Sequence, residues 1–360
     1  MTYANITGWG KCLPPAVLTN NDLATFLATD DEWITTRTGM KERRISHVSV
    51  SELAYVACEH ALAAAGKTAE DVELIVFGSC TFDEMVPNAA SNVQKLLGAT
   101  NAACMDLNTA CTSGMYSLTT ANSMIRTGVV KNALVIGAET ISPLLDWTNR
   151  DVAVLFGDGA AALFLEADKH QSGVVAESLG CYGENREILS IEGWGVKYAD
   201  PNRTLFHVNW DFQGQEIFKK AVEGMSQACI KASEKFGTQP EDISWVIPHQ
   251  ANLRIINTLA KRMKVPTEKV YVNIHRYANM SAATALVALV EAIEEGKVKA
   301  DDLIMMPAFG GGLTWSAHLL KWGQRTTPLG TSDVALSTPE KTGLDMVLDI
   351  RARRSEAHSA

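Results

Sequence analysis

The chain has 360 residues, 46% of them hydrophobic and 20% charged, with a net charge of −9. That balance excludes a disordered chain and gives enough length for one large core or two domains. The negative charge leaves no broad basic field for a nucleic acid or an anionic membrane, so neither is expected as a partner.

The N-terminus lacks a basic region followed by an apolar stretch, and no run approaches the roughly 18 apolar residues of a membrane span, so a cytoplasmic protein is expected. Short runs rich in Val, Ile and Leu predict strands at 72–78, 103–107, 133–137, 160–166, 244–247, 270–273 and 303–307, buried on both faces. Segments of helical period predict helices at 51–65, 112–127, 214–236, 251–263 and 281–295, and the alternation is that of an α/β protein. From residue 323 the rhythm stops and Thr, Ser, Pro and Arg increase, which reads as an appended tail with a short helix at 344–354. The seven cysteines, at 12, 58, 80, 104, 111, 181 and 229, form neither Cys-x-x-Cys pairs nor a dense disulfide framework. A reducing compartment follows, and no metal site is expected.

Cys111 stands apart from the other six. It lies in Asn108-Thr109-Ala110-Cys111-Thr112-Ser113-Gly114, after one predicted strand and at the start of a predicted helix. A thiol there faces unpaired N–H groups and the positive end of the helix dipole, which is expected to lower its pKa and favour a nucleophilic thiolate. Two further groups complete a constellation: His249 in Pro248-His249-Gln250-Ala251-Asn252-Leu253-Arg254, and Asn279 in Arg276-Tyr277-Ala278-Asn279-Met280-Ser281. Ser113 and Ser281 have no accompanying base and no Gly-x-Ser-x-Gly elbow, so they read as small residues that pack at helix starts. His275 and His318 rank below His249 as site residues.

The two halves resemble each other. Asp71-Val72-Glu73-Leu74-Ile75-Val76 matches Asp242-Ile243-Ser244-Trp245-Val246-Ile247, and Ala110-Cys111-Thr112-Ser113 then falls on Ala278-Asn279-Met280-Ser281, with a long helix and a strand after each. An internal duplication is expected, with halves at 1–170 and 171–322 and a tail at 323–360. It would bring the helix starts bearing Cys111 and Asn279 to one central site.

Four motifs in order carry a resemblance to a known family: Asp31-Glu32-Trp33-Ile34 with Arg37-Thr38-Gly39; Phe156-Gly157-Asp158-Gly159-Ala160; Pro248 to Ile256; and Phe309-Gly310-Gly311-Gly312-Leu313-Thr314-Trp315. Over residues 1 to 322 the chain resembles the β-ketoacyl-acyl-carrier-protein synthase III enzymes of the thiolase superfamily. The resemblance implies a thiolase-like αβαβα five-layer fold built from two duplicated halves, a homodimer, and a Cys-His-Asn catalytic set at Cys111, His249 and Asn279. It implies acyl transfer from acyl-CoA to Cys111, then decarboxylative condensation with malonyl-acyl carrier protein to a β-ketoacyl product. Coenzyme A thioester is a substrate there, and no cofactor is needed. Backbone N–H groups of Cys111 and Gly311 are expected to form the oxyanion hole, and His249 and Asn279 to stabilise the enolate left by decarboxylation. Acyl transfer to another acceptor by the same three residues, in specialised metabolism, is the alternative.

Further positions follow from the same resemblance. Trp33, Arg37 and Arg150 would clamp the coenzyme A nucleotide and Asn252 contact its pantetheine arm. Val86 and Phe309 would line the acyl pocket. Val86 stands on a loop from the partner subunit where acetyl-specific members often have a bulky aromatic, so a medium-chain primer is expected. Lys219, with Arg254, Lys261 and Arg262 on a helix following His249, would dock the acidic carrier protein. The chain departs from the family at His275, commonly Asp, and at Ala278, commonly Gly, which leaves the turn before Asn279 to be built differently.

Overall fold

The computed structural model describes residues 2–193, 195–198 and 208–359. In chain order the strands are β1 (Tyr3–Cys12), β2 (Ala16–Thr19), β3 (Glu42–Ile45), β4 (Leu74–Gly78), β5 (Ala103–Leu107), β6 (Asn132–Glu139) and β7 (Gly159–Asp168). They continue with β8 (Gly173–Cys181), β9 (Leu189–Glu192), β10 (Asn209–Phe212), β11 (Trp245–Val246), β12 (Leu303–Gly310) and β13 (Thr314–Lys321). One sheet has the order β1-β7-β6-β4-β5, with β4 parallel to both β5 and β6 and the other pairs antiparallel. The other has the order β11-β12-β13-β8, with only β11 and β12 parallel. Two-stranded ladders, β2 with β3 and β9 with β10, stand beside them.

The strands read as continuous apolar runs because helices cover both faces. On the outer face of the first sheet, Ile75, Phe77, Leu134, Ile136 and Phe164 pack under the helices Val50–Ala65 and Ala89–Leu97. Its inner face, with Val76, Val135, Leu163 and Leu165, meets the helices Ser113–Arg126 and Thr284–Glu294. Those two helices also meet Ile304, Met306 and Ala308 of the second sheet. The alternate residue Met305 points the other way, as the strand period of two requires, beneath the helices Gly214–Phe236 and Leu253–Met263. The layers are therefore αβαβα, as expected. Thr284–Glu294 is apolar nearly all round because it is enclosed in the middle layer.

Three sequence expectations need correction. Residues 270–273 form no strand, because after one bridge from Val270 to Val246 the ladder is replaced by side-chain bonding: the Asn273 backbone N–H donates to Gln250 Oε1 at 3.1 Å. The helix expected from 251 starts at Leu253 with Asn252 as its cap, and the one expected from 281 opens as a 3₁₀ turn, Ser281–Ala283, before Thr284. The tail is strapped to the body. Arg325 Nη1 donates to the carbonyls of Thr7 and Ala65, and the terminal helix Gly343–Ser359 buries Val347 completely beside Leu18 and Ile45.

Candidate active site

The turn that carries Cys111 is built by the crowding of two glycine-ended strands against it. β4 ends at Gly78, where a β-carbon would stand 2.5 Å from the Ser113 carbonyl carbon, and β12 ends at Gly310, where one would stand 2.7 Å from the Cys111 nitrogen. Only glycine admits such approach. Ala110 takes φ +53, so Cys111 sits in a 3₁₀ turn, Ala110–Thr112, just ahead of the helix Ser113–Arg126. Ser113 Oγ locks the turn by donating to the Ala110 carbonyl at 2.7 Å and accepting from the Thr109 N–H at 2.9 Å.

His249 follows β11. Its backbone N–H donates to the Pro307 carbonyl at 2.8 Å, which ties it to β12, and Nδ1 is hydrogen-bonded to the Thr284 hydroxyl. Burial lowers the imidazole pKa to about 3, so the ring is neutral. Asn279 is held between main-chain partners: its N–H donates to Leu155 O at 3.0 Å and its carbonyl accepts from Gly157 N–H at 3.1 Å. Its side-chain Oδ1 accepts from the Ser281 N–H at 2.8 Å, which among the described residues leaves the carboxamide NH₂ as the free donor. Ala278 holds φ +55 and ψ −149, a conformation suited to glycine, so the turn is made with an alanine under strain.

Cys111, His249, Asn279, Gly311 and Phe309 line one cavity of about 600 Å³. Its apolar part is built by Leu189, Ile191, Trp210 and Phe212 of the β9–β10 ladder and by Ile217 and Met225 of the helix Gly214–Phe236. The cavity thus combines these polar groups with a largely apolar lining, the composition of a small-molecule site.

The electrostatics correct one expectation. Burial pushes the Cys111 thiol up to about 12, with Glu139 adding to the rise and the Ser281 hydroxyl opposing it, so the residue rests as a thiol. Lying ahead of the helix in a 3₁₀ turn, Cys111 gains less from the helix than the desolvated site costs the thiolate. Glu139 is itself fully buried at the end of β6. Its Oε1 accepts from Ser281 Oγ at 2.9 Å and Cys80 N–H at 3.1 Å, and its Oε2 from Ser79 Oγ at 3.0 Å and Thr81 Oγ1 at 2.5 Å. Cys80 Sγ lies 3.7 Å from Ser281 Oγ. Sequence reasoning missed Cys80, Glu139 and Thr284 and read Ser281 as packing. The available signal was a carboxylate closing the apolar strand Asn132–Glu139.

Of the expected coenzyme A contacts, Asn252 lines the cavity, where its Oδ1 caps the helix Leu253–Met263 and its Nδ2 donates to Arg37 O at 3.2 Å. Trp33 lies outside the lining, with the Arg37 and Arg150 guanidinium carbons 4.4 and 4.6 Å from its ring centroid. Val86 does not reach its own chain's cavity and is 86% exposed on its loop. Lys219, paired with Glu216 at 2.7 Å, and Arg254, Lys261 and Arg262 are exposed on the two outer helices. His275 lies outside the lining, and the buried His318 is held by Thr119 Oγ1 at 2.7 Å. Among the described residues no His, Cys, Asp and Glu cluster is arranged to hold a metal, and no helix is long and apolar enough to cross a membrane.

Residues 105–183 match the family model described as 3-oxoacyl-[acyl-carrier-protein] synthase III, and residues 233–322 the one for its C-terminal part. A β-ketoacyl-[acyl-carrier-protein] synthase III 2 of Vibrio cholerae is 49% identical over 96% of this chain and 95% of its own length. A β-ketoacyl-[acyl-carrier-protein] synthase III of Aquifex aeolicus is 44% identical over 88% of this chain and 99% of its own. The crystal structure of a 3-oxoacyl-[acyl-carrier-protein] synthase III from Aquifex aeolicus superimposes with a TM-score of 0.83 at 43% identity, covering 89% of this chain and all of the other. One from Pseudomonas aeruginosa gives 0.84 at 33% identity over 89% and 99%.

Proposed function

From the premise that this chain belongs to the β-ketoacyl-[acyl-carrier-protein] synthase III family, the condensing acyltransferases of fatty acid initiation, we propose that it loads an acyl group from acyl-CoA onto Cys111 and condenses it with malonyl-acyl carrier protein. The observation that carries this reading is the meeting of Cys111, His249, Asn279 and Gly311 on the wall of one apolar chamber, although they lie as much as 200 residues apart in the chain.

In the first half-reaction the Cys111 sulfur attacks the thioester carbonyl, the bond to the coenzyme A sulfur breaks, and the thiol proton ends on the departing coenzyme A. The N–H groups of Cys111 and Gly311 hold the oxyanion. In the second, malonyl thioester loses carbon dioxide, and the enolate oxygen is stabilised by an N–H of neutral His249 and the NH₂ of Asn279. The enolate carbon then attacks the acyl-enzyme, the bond to the Cys111 sulfur breaks, and the released thiolate takes one proton from solvent to return to the thiol. These groups, the two thioesters and one proton from solvent account for every bond change, so the scheme calls on no resident metal or cofactor.

The Leu189, Ile191, Trp210 and Phe212 wall supports a medium-chain primer. Trp33 with Arg37 and Arg150 forms the nucleotide end of the substrate path, Asn252 meets the pantetheine arm, and Lys219, Arg254, Lys261 and Arg262 form the carrier-protein approach. A homodimer fits two observations: among the described residues the far side of β5 pairs with no strand, and Met85 and Val86 stand exposed on a loop beyond β4, placed to enter a second copy. The test is incubation with acyl-CoAs of graded length plus malonyl-acyl carrier protein, with product masses measured. Medium-chain β-ketoacyl-carrier products support the reading, a clear preference for acetyl-CoA refutes the primer length, and acylated product with intact malonyl thioester refutes the condensation.

A further inference from the structure

Thr284 is fully buried at the first turn of the helix Thr284–Glu294, and among the described residues it is the partner of His249 Nδ1. Its hydroxyl lies within hydrogen-bond reach of two groups: His249 Nδ1, which donates or accepts according to the ring tautomer, and the Ser281 carbonyl oxygen at 3.0 Å, which can only accept. A hydroxyl has one hydrogen, so it either donates to Nδ1, or donates to the Ser281 carbonyl and accepts from Nδ1–H. The choice sets which ring nitrogen of the neutral imidazole carries the proton. The Ser281 carbonyl already accepts the backbone N–H of Thr284. Nδ1 has no such second donor among the described residues.

We propose that Thr284 is a positioning residue for the condensation: its hydroxyl donates to His249 Nδ1, holds the ring in the Nε2–H form, and so aims a proton donor into the cavity at the site of the enolate. The proposal rests on the reading of His249 given above. With the opposite tautomer a lone pair would face the enolate oxygen, and the donor required for decarboxylation would be missing. Acyl loading differs, because its oxyanion is held by backbone N–H groups and its proton leaves with coenzyme A. Removing the hydroxyl therefore separates the two half-reactions.

Three readouts on the full chain test this: adduct formation on Cys111 from acyl-CoA, carbon dioxide release from malonyl-acyl carrier protein by the pre-acylated protein, and ¹⁵N spectra of histidine-labelled protein assigned with a His249→Ala control. Thr284→Val keeps the shape and removes the hydroxyl, and Thr284→Ser keeps the hydroxyl. In Thr284→Val, loading stays within about twofold while carbon dioxide release falls at least about tenfold, short of the roughly hundredfold or more that loss of a donor itself costs. Thr284→Ser restores release, and Nδ1 of His249 in the unmodified chain gives a pyridine-like signal. A pyrrole-like Nδ1, an equal fall of both half-reactions, or a Ser variant no better than the Val variant overturns the proposal. If the unmodified chain neither loads Cys111 nor releases carbon dioxide, the catalytic reading itself fails, while the nitrogen signals still decide the tautomer.

Discussion

Replacing Gly310 by alanine probes how tightly Cys111, the proposed nucleophile, is seated. Gly310 has φ −158, extended backbone that alanine adopts without strain, so the effect is steric alone. The new β-carbon would stand 2.7 Å from the Cys111 nitrogen, 3.1 Å from the Thr112 nitrogen and 3.2 Å from the Cys111 α-carbon. Ordinary contact begins near 3.4 Å, so the turn must retreat by about 0.7 Å, and the obstacles are main-chain atoms with no rotamer to change. Overpacking of this kind costs roughly 1–3 kcal/mol, which for a chain of this length lowers Tm by roughly 1–4 °C. A displacement near 1 Å at a reacting atom costs about a hundredfold in rate, so loading of Cys111 should fall roughly 10- to 100-fold. Adduct formation followed by mass spectrometry, beside thermal unfolding, reads both effects. Loading within twofold of the unmodified chain would show that the seat of Cys111 is not set by this contact.

Other perturbations follow from the same geometry. Because burial holds His249 near 3, carbon dioxide release should carry no inflection from this residue between roughly pH 5 and 8; an inflection near 6.5 that vanishes in a His249 variant would contradict it. Buried His318 is likewise held near 3, so its contribution to stability is full above 6.5 and drains as pH falls toward 3, where the unfolded chain binds the proton first. His318→Gln should therefore flatten the loss of stability on acidification, measured by urea unfolding at two pH values. Glu139→Gln removes a negative charge that raises the Cys111 pKa, so the pH midpoint of Cys111 alkylation should move down, and an upward move would refute the assignment. Val347→Asp places an unpaired carboxylate in a fully buried position and should cost about 2–5 kcal/mol in unfolding experiments; an unchanged Tm would detach the tail helix from the body.

Much of this was legible in the sequence because buried strands and long amphipathic helices leave periodic marks. Ala103–Leu107 and Gly214–Phe236 have the bounds the apolar pattern predicts, and the duplicated helix starts do carry Cys111 and Asn279 to one cavity. What escaped lacks such a mark. β1 and β13 mix polar and aromatic residues with the apolar ones, and β9 and β10 are short, although together with a helix they build the chamber wall. Ser281 looked like helix-start packing and Thr284 drew no notice because their partners, Glu139 and His249, lie 142 and 35 residues away in sequence. The thiol's direction of shift was misjudged for the same reason: the helix start is local and readable, whereas desolvation and the Glu139 carboxylate come from the tertiary fold.

The most direct measurement is a pulse and chase on one peptide. Trypsin cuts after Lys95 and Arg126, releasing a peptide that contains Cys104 and Cys111. After a pulse of medium-chain acyl-CoA, fragmentation should place one acyl group on Cys111 and none on Cys104, and a chase with malonyl-acyl carrier protein should discharge it with release of carbon dioxide. An acyl group on another residue, or one on Cys111 that malonyl-acyl carrier protein leaves in place, would contradict the account.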